Sequence, residues 1–313
     1  MLISSDQAKN LLIRGKVVAL PTETVYGLAA RIDNEQAIKK IFQLKSRPFF
    51  DPLIVHVCDI PMAKKLCTKW GEVETYLAQK FWPGPLTLVL EKNDLINDLI
   101  TASLPKVGLR SPAHPVMLSL IKDLNVPLAA PSANKFKAVS PTKAQHVEDE
   151  FDGRVAIVDG GECQVGIEST VLEIIYENDL PKNIFIYRPG MISLEAIQAS
   201  LESSPWKNIT VTYHQSPVAP GQLEEHYRPN KPLTIQLIDH AENFKPSKGQ
   251  AILTLPDEPE LAARQLYAVL RSHQHDPSVK ELILLLKKTL WTDESWHPLR
   301  ERLTKAASKI VDY

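Results

Sequence analysis

At 313 residues the chain is about twice the common size of one domain, so one large or two medium domains is the starting expectation. Apolar residues make up 44% and charged residues 23%, which excludes a disordered chain, a collagen-like repeat and a coiled-coil rod. Lys plus Arg total 36 against 37 for Asp plus Glu, and a net charge of -1 leaves no basic surplus for gripping a long stretch of nucleic-acid backbone.

Along the chain, Ser5 and Asp6 are placed to cap a helix over Gln7–Arg14 that Gly15 ends, and Val17–Leu20 reads as a short buried strand. After the turn PTETVYG, Ile38, Ile41 and Phe42 give one apolar face to a helix from Glu35 to Leu44. Leu53–Val57, Leu86–Leu90, Val107–Leu109 and Val126–Ala130 suit buried strands. Amphipathic pieces at Met62–Cys67, Val73–Phe81 and Val116–Leu124 lie between them. Strands follow at Ala156–Val158, Val171–Ile174 and Ile184–Tyr187, then a helix at Leu194–Leu201, so residues 1–205 are expected to form one α/β domain around a twisted sheet.

Residues 206–232 are expected to be a linker. Its QSPVAPGQLEEHYRPNKP stretch is rich in proline and has no apolar period. The pattern then restarts, with strands at Leu233–Ile238, Ala251–Leu255 and Leu282–Leu286 and helices at Glu258–Ser272 and Leu299–Val311. That predicts a small α/β domain over 233–313.

Three cysteines (Cys58, Cys67, Cys163) make no C-x-x-C pair and no zinc pattern, so reduced thiols are expected. MLISSDQAKN lacks the regions of a signal peptide, and no apolar run approaches the ~20 residues of a membrane helix. A cytoplasmic protein is the expectation. Phosphate-loop, dinucleotide, zinc-protease and serine-hydrolase motifs are absent, and His273 and His275 lack a second cluster to complete a metal site.

What remains is a series of polar clusters at strand ends. In PTETVYG, Thr22, Thr24 and Tyr26 alternate, so three hydroxyls would face one side; a turn whose hydroxyls bond their own backbone is the competing reading. Lys45 and Arg47 suit a helix C-terminus for purely structural reasons, the reading favoured on the residues alone, with a polyphosphate clamp as the competing one. Arg110 reads either as an arginine paired with a surface carboxylate or as a fork for the carboxylate of a small substrate. A-P-S-A-N (130–134) and S-P-T (140–142) leave backbone and hydroxyls open to a phosphate or ribose, although Ser140 equally fits a helix start before Lys143. G-I-E-S-T-V (166–171) and R-P-G (188–190) complete the series.

PTETVYGL, K-S-R-P…PLIVH, FWPGPLT, GLRSP, APSAN…SPT, GIESTV and RPG, in this order from about Leu11 to Met191, resemble the YrdC-like family of threonylcarbamoyl-AMP synthases. The P-G…H-Y-R-P linker and the tail resemble its longer, two-domain form. The resemblance implies a YrdC-like α/β fold, a twisted mixed sheet with helices, followed by a smaller Rossmann-like α/β domain. It implies the reaction of ATP, L-threonine and bicarbonate to threonylcarbamoyl-AMP and pyrophosphate, with magnesium on the phosphates. The product serves threonylcarbamoyladenosine formation next to the anticodon of tRNA through a downstream transferase complex.

By the same resemblance Lys45 and Arg47 are the catalytic cations. Arg47, Asp51, Lys106, Ser132, Asn134, Ser140, Arg188 and Tyr227 fall at ATP-binding positions. Thr24, His56, Arg110 and Ser169 fall at threonine-binding ones. Tyr227 would sit on a linker folded over the nucleotide. The chain departs from the family at Gln222–Glu225, acidic where basic residues are usual, and at Lys135–Lys137, where a Ser-Gly turn is usual. An RNA-binding paralogue without synthase activity is the rival, with Lys135, Lys137 and Lys143 as its basic cluster. A carbamoyl-transfer relative of hydrogenase maturation carries zinc-binding cysteine pairs that this chain lacks.

Overall fold

The computed structural model describes residues 1–214, 226–239 and 244–312. Most of the expected linker, including the Gln222–Glu225 departure from the family, lies outside the described residues.

Local signals set the first element. The helix runs Ser5–Ile13, one cap earlier than expected. Ser4 Oγ accepts from Gln7 N at 3.2 Å while the Gln7 side chain accepts from Ser4 N at 2.9 Å, a reciprocal capping box. Ser5 and Asp6 therefore lie inside the first turn, where Asp6 suits the helix dipole. Gly15 follows the cap at φ +69°, the left-handed region that glycine enters without Cβ strain.

Ten strands form one mixed sheet: β1 (Val18–Leu20), β2 (Gly27–Arg31), β3 (Ile54–His56), β4 (Leu86–Glu91), β5 (Lys106–Arg110), β6 (Leu128–Ala129), β7 (Ala156–Ile157), β8 (Thr170–Glu177), β9 (Leu180–Arg188) and β10 (Thr210–Tyr213). Their order is β10-β9-β8-β4-β5-β3-β6-β2-β1-β7. Parallel pairs such as β3 with β5 and β4 with β8 mix with antiparallel ones such as β4 with β5 and β8 with β9. The sheet reaches past residue 205, because β10 adds to β9 in parallel.

Two of these strands were not foreseen. GLAAR of β2 is made of residues with low strand propensity. It extends because β1 and β6 hold it on both sides, and its first four residues are buried. TVTY of β10 is four residues long, too short to stand out in the sequence.

The second unit holds β11 (Leu233–Ile238), β12 (Gln250–Thr254), β13 (Glu281–Lys287) and β14 (Lys309–Asp312), all parallel in the order β12-β13-β11-β14. Helices Pro259–Arg271 and His297–Ala306 accompany them. The helix expected to reach Val311 stops at Ala306, Ala307 turns extended, and Lys309–Asp312 pairs with β11 instead. The β-branched Ile310 and Val311 favour that outcome.

The main core gathers Ile38, Ile41 and Phe42 of helix Glu35–Lys45, Leu77 of helix Glu72–Phe81 and Leu201 of helix Leu194–Glu202 against the large sheet. A second cluster is built on Leu266, Tyr267, Leu299 and Leu303, and it also takes in Val25, Val139 and Ile167 from loops of the first unit, together with Tyr227. Apolar contact therefore joins the two units beside those loops.

Candidate active site

Register places the first polar pair. β3 and β5 run parallel with His56 opposite Arg110, so the last residues of both strands arrive together at one edge of the sheet. β6 leads from Ala129 to Ala130, Pro131 and Ser132, and Ser132 bridges Gly27 at the start of β2. β9 ends in Arg188, paired with Val171 of β8. A cavity of about 60 Å³ opens among these ends, lined by Thr22, Thr24, Val25, Gly27, Arg47, Pro52, Ile54, His56, Arg110, Ala130, Pro131, Ser132, Glu168, Arg188, His226 and Tyr227.

Arg110 is buried, with Nε and Nη1 hydrogen-bonded and Nη2 in an ion pair without a well-directed hydrogen bond. It donates to Gly84 O at 3.2 Å and to Thr24 Oγ1 at 2.9 Å, and its Nη2 lies 2.7 Å from Glu23 Oε1. Both Glu23 oxygens are buried and lack a well-directed hydrogen bond, so the pairing with Arg110 is ionic in character. Thr22 Oγ1 meets Thr24 Oγ1 at 2.9 Å and donates to Val25 O at 2.7 Å, so the hydroxyl turn and the polar wall are the same structure. Tyr26 does not join them. Its hydroxyl donates to Gly161 O at 2.8 Å, because PTETVYG is a turn without the two-residue alternation of a strand.

His56 is held neutral. Burial, then the Arg110 charge, lower it to about 3, and its Nδ1 is buried without a partner. His226 is likewise lowered to about 3 by burial, with an unpartnered buried Nδ1. Tyr227 sits at φ +60°, its hydroxyl buried without a partner and its ionisation pushed far up by burial. With Arg110 Nη2, four buried polar atoms among the described lining residues lack a hydrogen bond, and a polar ligand in the cavity would satisfy them.

Arg47 lines the cavity and is anchored by Asp51, with Nη2 at 2.9 Å from Asp51 Oδ1, and by the carbonyls of Asp51 and Pro52 at 3.1 and 2.7 Å. Burial lowers Arg47, Asp51 raises it and Arg188 lowers it again, so the two guanidiniums repel each other in a dry site. An anion placed between them would relieve that repulsion. Arg188 donates to Ser169 O and Ser169 Oγ, each at 3.1 Å, and Ser169 meets Thr87 at 2.7 Å.

Several expected site residues do not reach this cavity. Lys45 ends its helix buried, with Nζ donating to Ser132 O at 2.5 Å and Asn134 O at 2.7 Å; burial and Arg47 hold it well below the lysine range. It shapes the A-P-S-A-N loop and does not line the cavity. Asn134 bonds Lys135 O and Ala138 O at 2.7 and 2.9 Å, closing the Lys135–Lys137 departure into a turn, and its Oδ1 stays unpartnered. Asp51, Ser140 and Ser169 stand one layer behind the wall. Ser140 donates to Glu168 at 2.6 Å and starts no helix, since the next one begins at Ala144.

Lys106 belongs to a neighbouring cavity of about 210 Å³ that shares Pro52 and Ile54 with the first; there it meets Glu173 at 2.5 Å. The lining residues that the sequence reasoning did not single out are Glu168, His226 and the apolar Pro52, Ile54 and Ala130. All five nonetheless lie within motifs already noted: Glu168 in G-I-E-S-T-V, His226 in H-Y-R-P, Pro52 and Ile54 in PLIVH, and Ala130 in A-P-S-A-N.

Fold and lining together define an α/β protein with a buried, guanidinium-rich cavity at its strand ends, a site suited to a small anionic ligand. Comparison with known proteins narrows this. Residues 10–190 match the Sua5, YciO and YrdC family model, described as "Telomere recombination". Residues 192–308 match "Threonylcarbamoyl-AMP synthase, C-terminal domain", and the chain belongs to this family in its two-domain form. It is 44% identical over 231 residues to the threonylcarbamoyl-AMP synthase of Bacillus subtilis, covering 73% of this chain and 65% of that protein. It is 40% identical over 225 residues to that of Pyrococcus abyssi, covering 71% and 65%. These alignments thus span a little under two thirds of either relative. The solved structure of P. abyssi Sua5 complexed with L-threonine matches with a TM-score of 0.83 at 30% identity, over 99% of this chain and 96% of that one.

Proposed function

We propose that the protein makes L-threonylcarbamoyl-AMP and pyrophosphate from L-threonine, bicarbonate or CO2 and ATP, and that the product supplies threonylcarbamoyladenosine modification of tRNA in the cytoplasm through a downstream transferase. The observation that carries this reading is the composition of one cavity: Thr24, His56 and Arg110 beside the buried guanidiniums Arg47 and Arg188. The first group suits an amino acid and the second a phosphate chain.

In the reaction threonine's amine adds to CO2, losing a proton to give a carbamate. A carbamate oxygen then attacks the α-phosphorus of ATP, and pyrophosphate leaves with the electron pair of the broken P–O bond. Arg110, ordered by Glu23 and Thr24, is the partner for threonine's carboxylate. Neutral His56 offers its open Nδ1 to the amine side. Arg47 and Arg188 stabilise the charge that moves onto the leaving phosphates, with Lys45 and Asn134 holding the Ser132 loop in place. Lys106 and the adjoining cavity lie open to the rest of the nucleotide.

Magnesium belongs to this reading as part of the ATP substrate. Among the described residues no three His, Cys, Asp or Glu side chains gather to hold a metal, and the wall offers cations and hydroxyls, so the ion would enter on the phosphates. An RNA-binding role is not favoured: Lys135 donates to Leu44 O at 2.6 Å and Lys143 pairs with Glu162 at 2.7 Å, so two members of the expected basic cluster are engaged within the protein. Pyrophosphate release assayed with threonine and bicarbonate withheld in turn tests the proposal. Release must fall to background in each case, and ATP hydrolysis at an equal rate without either would defeat it.

A further inference from the structure

Among the described residues, Glu168 is the one carboxylate lining the cavity, and the second domain grips it. One oxygen accepts from Ser140 Oγ at 2.6 Å. The other accepts from Tyr267 OH at 2.8 Å and lies 3.4 Å from Arg302 Nε. Tyr267 sits on helix Pro259–Arg271 and Arg302 on helix His297–Ala306, both in the second domain and both completely buried.

Arg302 reaches further than this one contact. Its Nη2 donates to the backbone carbonyl of Glu168 at 3.3 Å, and its Nη1 donates to the carbonyl of Pro189, next to Arg188. Its guanidinium lies 5.8 Å from the ring centroid of Tyr227, and Tyr227 stacks on Tyr267 at 5.5 Å. The same two side chains therefore touch the segments bearing Ser169 and Arg188, the carboxylate that orders Ser140, and the ring that lines the cavity.

Apolar residues already join the domains through Val25, Val139 and Ile167. A buried arginine adds little to such a contact, because its desolvation offsets most of the Coulomb gain. What a charged, directional cluster adds is a fixed position for Glu168 and whatever Glu168 holds. Gly166 shows how closely the backbones meet: a Cβ there would lie 2.4 Å from both Ala263 O and Arg264 Cα.

We propose that Tyr267 and Arg302 are positioning residues for the nucleotide side of the cavity, acting through Glu168 on Ser140 and through stacking on Tyr227. This inference rests on the functional reading above and gives the second domain a defined part in it. The test is calorimetric binding of Mg-ATP and, separately, of L-threonine to the full chain and its variants. Tyr267→Phe keeps the ring stack and removes one hydroxyl, so it should fold, weaken Mg-ATP about tenfold and change threonine affinity less than twofold. Ser140→Ala alone should weaken Mg-ATP similarly, and the double variant should be little worse than either single one, since both act through the same carboxylate. Arg302→Gln should act in the same direction and more strongly if it folds. Unchanged ATP affinity in Tyr267→Phe, equal loss for both ligands, or fully additive effects in the double variant would each overturn the inference. If the unaltered protein binds neither Mg-ATP nor threonine, the functional reading itself fails, a distinguishable result.

Discussion

In the proposed reading, Arg47 and Arg110 divide the cavity into a phosphate side and an amino-acid side. A lost charge-assisted contact at a transferring phosphate costs about 3 kcal/mol, so Arg47→Ala should cut turnover by roughly two orders of magnitude in steady-state assays. Arg110→Ala should instead raise the threonine KM most. It also leaves Glu23 as a buried unpaired carboxylate, a loss of ~3–5 kcal/mol, so its melting temperature should fall and Arg110→Lys is the fairer kinetic probe. Equal effects of Arg47→Ala and Arg110→Lys on both substrates would remove the division.

The buried histidines give a pH signature. Burial lowers His56 and His226 to about 3 and His146 to about 4. The unfolded chain takes up protons below its ordinary histidine value of about 6.5 while the native state does not, so stability is present above that pH and is lost as pH falls toward 4. His146 donates nothing to the cavity and accepts from Thr142 N at 3.2 Å. In urea unfolding, His146→Gln should therefore flatten the decline between pH 6.5 and 4.5 by about 1 kcal/mol per pH unit, the contribution of one histidine. An unchanged slope would contradict the buried neutral state. Arg110 was legible from the residues themselves because it follows the apolar run Val107–Leu109, whereas His56, inside the expected strand Leu53–Val57, was assigned only through the family resemblance. Glu168 was not legible: its meaning comes from Tyr267 and Arg302, about a hundred residues and more away in the chain. The place of Lys45 was not legible for the opposite reason, since nothing in K-S-R-P says which of two cations will hold the Ser132 loop and which will line the cavity.

At the scale of elements, long amphipathic helices and β-branched runs were read within a few residues. Short or alanine-rich strands such as β2 and β10 were not, because neighbouring strands and not their own propensities make them extend. In β14 both act, the β-branched Ile310 and Val311 and the ladder supplied by β11, and they end a helix the sequence could have continued. Gly166 tests the seam between the elements of the two units. At φ +83°, with backbone atoms 2.4 Å from a would-be Cβ, Gly166→Ala should destabilise the protein by more than about 1 kcal/mol. That is a fall of at least ~2–4 °C in melting temperature for a chain of this size class. A wild-type melting curve would mean that the close approach is not maintained in solution.

For the whole molecule, the second domain matters to the site through a few side chains at its seam. A chain cut after Ser204 would lose β10 and strip an edge from the large sheet, so a cut after His214 is the informative one. It leaves Val25, Val139 and Ile167 uncovered and Glu168 without Tyr267 and Arg302, and should lose adenylate to hydrolysis that the full chain avoids. The proposed chemistry joins three substrates in one product, and it is tested by following a carbon atom. Incubating the full chain with Mg-ATP, L-threonine and isotopically labelled bicarbonate, then resolving the nucleotides by mass, should give one new adenylate that contains threonine and the labelled carbon, in equal amount with pyrophosphate. Unlabelled AMP or ADP as the sole nucleotide product would contradict the account.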